Sequence, residues 1–162
     1  MSYKLEAFIL NHKAAEMLPD YLRHLHCFRL NDQLALVPST RQLYKEVVAT
    51  FGEAKNDPYD DTLFIRLHPV LAQIAANISS ISPVLYLEAD VVNGIGDRTV
   101  IVWHKGEAAY GPSEGGSFLT EALRLFGQME GLSLDQIGEL GIFRYRFTED
   151  WVQPVENDSD QS

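Results

Sequence analysis

Two acids stand two residues apart inside an apolar run, Val84-Leu85-Tyr86-Leu87-Glu88-Ala89-Asp90-Val91-Val92. In an extended strand, residues i and i+2 project to the same face, so Glu88 and Asp90 would share one, with Cα atoms about 6.6 Å apart. A carboxylate pair at that spacing could serve as general acid and base, or hold a divalent cation. No His, Asp or Asn partner is placed beside it by the local sequence. The same pair therefore also reads as two solvated acids on a half-exposed sheet face. A turn at Asn93-Gly94 or at Gly94-Ile95 sets Thr99, Ile101 and Trp103 on the Glu88/Asp90 face, and leaves Leu85, Leu87, Ala89, Val100, Val102 and His104 on the other. With Asp57, Asp60 and Asp61 in a polar loop upstream, Glu88, Asp90 and Trp103 form the candidate contact set for a partner.

Other reactive residue types are scattered. None of the five histidines, His12, His24, His26, His68 and His104, has the i, i+4 helical spacing of a zinc pair; His24 and His26 could share a face beside Cys27 only if extended, and capping or surface polarity near a helix end is the simpler reading. Cys27 is the single cysteine, which excludes an internal disulfide and a cysteine-rich metal site; its expected role is that of a small buried hydrophobe. Gly94-Ile95-Gly96 lies between two strand-like runs, so it cannot aim a helix N-terminus at a pyrophosphate. Gly111–Gly116 runs into a helix and could cradle an anion, but no Lys-Ser/Thr follows; a connecting loop is the simpler reading. Arg144-Tyr145-Arg146 mixes basic and aromatic residues as single-strand binders do, yet in so acidic a half the arginines are expected to pair with nearby carboxylates. No cofactor or metal site is implied.

The elements that must position these groups follow from periodicity and turn chemistry. Lys4–Leu10 is a short strand. Met17–Leu25 has Leu18, Leu22 and Leu25 on one helical face, with Pro19 tolerable only in a first turn. Cys27–Leu30 and Leu34–Val37 flank Asn31-Asp32 as a tight hairpin. Ser39-Thr40-Arg41-Gln42 has capping-box form ahead of Leu43, Val47 and Phe51, with Gly52 just past the helix. Residues 53–61 are polar, and Leu63–Leu67 fits a strand or a helical turn. Pro69 opens a helix with Leu71, Ile74, Ala75 and Ile78 in its stripe. Residues 84–92 and 98–104 flank Asn93–Gly96 as a β-hairpin, and Lys105-Gly106 leads into a third strand through Tyr110. Ser117 caps a helix carrying Phe118, Ala122, Leu125 and Phe126; Ser133-Leu134-Asp135-Gln136 opens another that Gly141 ends. Phe143–Phe147 reads as an edge strand, and Trp151 as an anchor for the chain end.

Strands in hairpins, with helices between the groups, place the chain in the α+β class: one domain over residues 1–153 with an antiparallel or mixed sheet, a meander at about 84–110, and a polar, acidic tail, 154–162, expected to stay disordered. The formal charge is −10, and it is lopsided: residues 1–52 carry six Lys/Arg against five Asp/Glu, whereas residues 53–162 carry seven against eighteen. That balance disfavours nucleic acid as a partner and favours a basic protein. No apolar run reaches the length of a membrane span, and the start, Met-Ser-Tyr-Lys-Leu-Glu, has no secretory pattern, so a cytoplasmic location is expected.

The stretch Glu88-Ala89-Asp90 through Asn93-Gly94-Ile95-Gly96, then Val102-Trp103-His104-Lys105-Gly106 and Tyr110-Gly111-Pro112, resembles small bacterial proteins of the immunity type, encoded beside secreted toxins. Leu140-Gly141-Ile142-Phe143 and Thr148-Glu149-Asp150-Trp151 add to it. The resemblance spans about a third of the chain and implies a non-catalytic acidic protein that binds and occludes a cognate toxin. Three functions thus stand as expectations: a protein-binding protein of this kind, a hydrolase or metal-dependent enzyme using Glu88 and Asp90, and a scaffold or regulatory subunit with an apolar interface.

Overall fold

A six-stranded antiparallel sheet in the order β2-β3-β1-β4-β5-β6 forms the centre of the fold. The computed structural model describes residues 2–53 and 64–153. Its strands are β1 (Ser2–Asn11), β2 (Phe28–Arg29), β3 (Leu34–Pro38), β4 (Val84–Val92), β5 (Ile95–His104) and β6 (Glu107–Glu114). Its helices are α1 (His12–Ala15), α2 (Arg41–Phe51), α3 (Pro69–Ile78), α4 (Gly116–Glu130) and α5 (Leu134–Gly138), with a 3₁₀ turn at Thr148–Trp151. The class is α+β. No helix among the described residues is long and apolar enough to cross a membrane.

Both faces of the sheet are covered. Phe8, Leu10, Val37, Val84, Tyr86, Ile101 and Trp103 pack under α2 and α3 through Leu43, Val47, Leu71, Ala75 and Ile78. Leu5, Ala7, Ile9, Leu36, Leu85, Leu87, Val100 and Val102 pack on the other face under Leu119, Ala122, Phe126, Ile137 and Trp151. Burial on both sides explains why Val84–Leu87 is continuously apolar rather than alternating with polar residues.

The meander follows the turn chemistry. Asn93 and Gly94 have φ of 52° and 82°, and Lys105 and Gly106 have 56° and 88°, the left-handed pairs that tight hairpins require. Register follows from the first turn: Glu88 faces Thr99, Asp90 faces Asp97 and Tyr86 faces Ile101. Thr40, rather than Ser39, caps α2, its hydroxyl accepting the Leu43 N–H at 3.1 Å. Thr40→Ala is expected to cost about 1 kcal/mol of stability, read as a lower denaturant midpoint at constant slope; an unchanged midpoint would mean that the cap contributes nothing.

Several sequence expectations are corrected. Met17–Leu25 is not helical: the Glu46 carboxylate accepts the backbone N–H groups of Arg23 and His24, which replaces a helical ladder, although Leu22 is still buried. Gly111–Glu114 is strand rather than loop, since Ser113 and Glu114 pair with Val100 and Thr99. Gly111 has φ of 78°, and a Cβ there would lie 2.5 Å from the Val100 carbonyl oxygen. Gly115 occupies the N-cap of α4 in place of Ser117. The helix opened by Ser133 has its full capping box but ends at Gly138, short of Gly141. Phe143–Phe147 is not a strand; it touches the sheet through one parallel bridge, Lys4 to Phe147. Trp151 is buried as expected. The tail, 154–162, lies outside the described residues.

Candidate functional site

The face beneath α2 and α3 changes character along its length. Phe8 and Leu10 give way to Glu6 and Lys4 on β1, Tyr86 to Glu88 and Asp90 on β4, and Ile101 to Thr99 and Asp97 on β5. The helices cover the apolar end. The polar end lines a cleft of about 190 Å³ bordered by Lys4, Glu6, Ile65, Glu88, Asp90, Asp97, Thr99 and Glu114. Five carboxylates therefore face one ammonium there, among the described residues.

Register stacks like charges. Glu6 lies opposite Glu88 across β1 and β4, and Asp90 lies opposite Asp97 across β4 and β5 while facing Lys4 across β1. Directly opposed like charges oppose strand pairing, so each pair must be compensated or left in water. The inner pair is compensated. Glu88 Oε1 accepts the Ile65 N–H at 2.7 Å, and Oε2 accepts the Arg66 N–H at 2.8 Å and the Tyr86 hydroxyl at 2.6 Å. Glu6 Oε1 accepts the Thr148 hydroxyl at 2.6 Å, and Thr148 Oγ1 takes the Glu6 N–H at 3.0 Å. The Arg66 guanidinium stands 3.5 Å from Glu6, 3.0 Å from Glu149 and 3.2 Å from the Ser39 carbonyl. This network ties the segment at 65–66 and the 3₁₀ turn to the sheet. The outer pair, Asp90 and Asp97, is exposed at the rim with Glu114.

Burial sets the electrostatics. Glu6 is 2% exposed and Glu88 8%. Burial pushes both carboxyls above the ordinary range against the hydrogen bonds they accept, and each also feels the other acids nearby. Burial, with Glu88 alongside, lifts the Tyr86 phenol further still, so it stays a donor. Glu149 goes the other way: burial would raise it, but the Arg41 N–H and the Arg66 guanidinium outweigh that and hold it low.

The structure separates the expected contact residues. Asp90 is at the cleft rim. Glu88 is not a solvated acid but a buried pin with both oxygens occupied, which removes it from the contact set. Trp103 is 1% exposed beneath α2 and α3, so it cannot touch a partner; the helices cover a face expected to be half open. Asp57, Asp60 and Asp61 lie outside the described residues. Lys4, Glu6, Asp97 and Glu114 belong to the cleft and were not singled out by sequence. Asp97 follows from the hairpin register once the turn is placed at Asn93-Gly94, whereas Glu6 needs the long-range pairing of β1 with β4.

Three of the five histidines have hydrogen-bond partners among the described residues. His68 caps α3, Nδ1 accepting the Val70 N–H while Nε2 meets the Gly52 carbonyl. His12 contacts the Asn31 carbonyl and His24 the Glu46 carboxylate. Cys27 is exposed rather than buried. Arg144 donates to the Leu140 and Gly141 carbonyls, not to a carboxylate as expected. Among the described residues, no three His, Cys, Asp or Glu side chains are grouped so as to hold a metal ion. No family model matches this chain, and no curated protein and no solved structure is significantly similar to it.

Proposed function

We propose that the chain is a non-catalytic protein-binding protein of the cytoplasm whose acidic cleft seats a basic partner protein, in the manner of the immunity-type proteins it resembles, which occlude a cognate toxin. The observation that carries this reading is the exposed acidic rim: Asp90 set between Asp97 and the single ammonium, Lys4, with Glu114 beside them, at the mouth of a cleft already lined by Glu6 and Glu88. A lysine or arginine entering there meets five carboxylates that one ammonium, Lys4, cannot balance, and the excess negative charge beyond residue 52 steers such a partner in. Catalysis by Glu88 with Asp90 has less support, because three donors from the segment at 65–66 and Tyr86 hold the buried Glu88 carboxylate as a structural acceptor.

The test is association with a lysine- and arginine-rich decapeptide at two ionic strengths. Asp90→Lys with Asp97→Lys is expected to slow association at low salt by about tenfold and to flatten its salt dependence. A control with the same change in net charge, Glu107→Lys with Glu139→Lys on exposed positions away from the cleft, is expected to retain most of the rate. Equal slowing in both variants would leave net charge alone as the cause and remove the cleft.

A further inference from the structure

The first residues of β1 separate two surfaces of opposite charge. Lys4 and Glu6 line the acidic cleft, whereas Tyr3 packs with the opposite face, beside Phe143 and Tyr145. There an open groove of about 440 Å³ is lined by Ser2, Tyr3, Phe143, Arg144, Tyr145 and Arg146. No carboxylate is in that lining, and its two arginines are both exposed.

Contacts within the chain hold the groove's lining in place. Tyr3 and Phe143 have ring centroids 4.4 Å apart. Tyr145 meets Trp151 edge-on at 4.9 Å. The Arg144 guanidinium lies 5.0 Å from the Trp151 ring and is held by the Leu140 and Gly141 carbonyls at 2.6 and 2.9 Å. Arg146 rests over the Phe147 ring at 5.4 Å and makes no ion pair among the described residues, while its carbonyl accepts the Lys4 N–H at 2.8 Å and fixes its backbone.

We infer that this groove is a second docking surface, one that takes an acidic segment of a partner protein. Tyrosine and arginine are the residue types that dominate interface energetics, and side chains already fixed lose little entropy on binding. Charge complementarity sets the sign of the partner: the arginines face outward with no acid in the groove to neutralise them. A nucleic acid strand would meet the same arginines but would also have to approach a chain of net charge −10 with its whole phosphate backbone, whereas a short peptide presents only a few charges. The surface is independent of the acidic cleft and of the reading built on it.

The experiment follows the two tryptophan indole N–H resonances in ¹⁵N-labelled protein, Trp151 under the groove and Trp103 under α2 and α3. The probe is an acetylated hexapeptide alternating Glu and Tyr, with the Lys-for-Glu peptide as control. The Glu-Tyr peptide is expected to move the Trp151 resonance saturably and leave Trp103 in place. Arg146→Glu is expected to raise the Kd at least about tenfold, with Arg146→Gln intermediate and serving in its place should the reversal perturb the fold. Asp90→Lys with Asp97→Lys is expected to leave the Kd no weaker, so failure of the cleft reading and failure of this one are told apart. No Trp151 shift, an equal shift from the lysine peptide, an affinity unchanged by both Arg146 variants, or a shift produced by a single-stranded oligonucleotide but not by the Glu-Tyr peptide would each overturn the proposal.

Discussion

Glu88→Leu is expected to lower the free energy of unfolding by about 3 kcal/mol, and the thermal midpoint by roughly 6–12 °C for a chain of this size. The substitution keeps the volume close and the strand intact but removes the acceptor of three donors, the Ile65 and Arg66 N–H groups and the Tyr86 hydroxyl. Each donor left without a partner away from water costs about 1–3 kcal/mol. Against that, removing Glu88 also removes a buried carboxylate whose ionisation burial opposes, and it relieves Glu6 of a like neighbour. The net effect stays destabilising because the two backbone donors cannot turn to another acceptor without moving the segment at 65–66. Glu88→Gln leaves one carbonyl oxygen to share among the donors and is expected to cost about half as much. Chemical denaturation of the three proteins at neutral pH decides the matter. Both variants within about 0.5 kcal/mol of the original, the usual result for a surface residue, would restore Glu88 to the solvated acids.

That contrast marks where the sequence was readable and where it was not. The face shared by Glu88, Asp90, Thr99, Ile101 and Trp103 is local information, carried by the period of two and by one tight turn at Asn93-Gly94. What covers that face is not local. The helices over Trp103 and the segment at 65–66 over Glu88 come from a different part of the chain, so an acid and a tryptophan that alternate like half-exposed residues are both buried. Glu6 was invisible as a partner of Glu88 because pairing β1 between β3 and β4 joins residues some eighty positions apart. The 17–25 segment shows the converse error. Leu18, Leu22 and Leu25 have helical spacing and pack against the core, yet Glu46 takes two of the N–H groups a helix would use. Apolar periodicity reported what is buried there, not which backbone conformation buries it. At Phe143–Phe147, the alternation of aromatic and basic residues is not a strand: Phe143 and Tyr145 pack on the core and line one groove together with Arg144 and Arg146, while Phe147 is exposed.

Thermal stability is expected to rise as the pH falls from neutrality into the weakly acidic range, and to drop again at lower pH. Glu6 and Glu88 titrate above the ordinary value of 4.5 in the folded chain, chiefly because they are buried. A carboxyl with a raised folded pKa binds its proton more tightly folded than unfolded, so lowering the pH through that pKa adds stability, complete once the pH is below about 4.5. Glu46 and Glu149 work in the other direction. Burial opposes their charge, but the N–H groups of His24 and Arg23 on Glu46, and the Arg41 N–H with Arg66 on Glu149, hold both below 4.5. Their contribution is present above that value and is lost as the pH falls through their folded pKa values. The two windows do not overlap, and a maximum between them follows. General relief of a −10 charge also favours the folded state on acidification, so the pH profile needs variants. Glu6→Gln keeps an acceptor for the Thr148 hydroxyl but cannot ionise beside Glu88, Lys4 and Arg66. It is expected to be more stable than the original at neutral pH and to show a flatter rise on acidification, whereas Glu107→Gln, exposed and away from the cleft, changes the net charge equally and is expected to leave the slope nearly as it was. A midpoint that falls steadily from neutrality downwards, or a rise as steep in Glu6→Gln as in the original chain, would mean that the buried pair is held ionised at no cost and that the cleft floor carries its full charge.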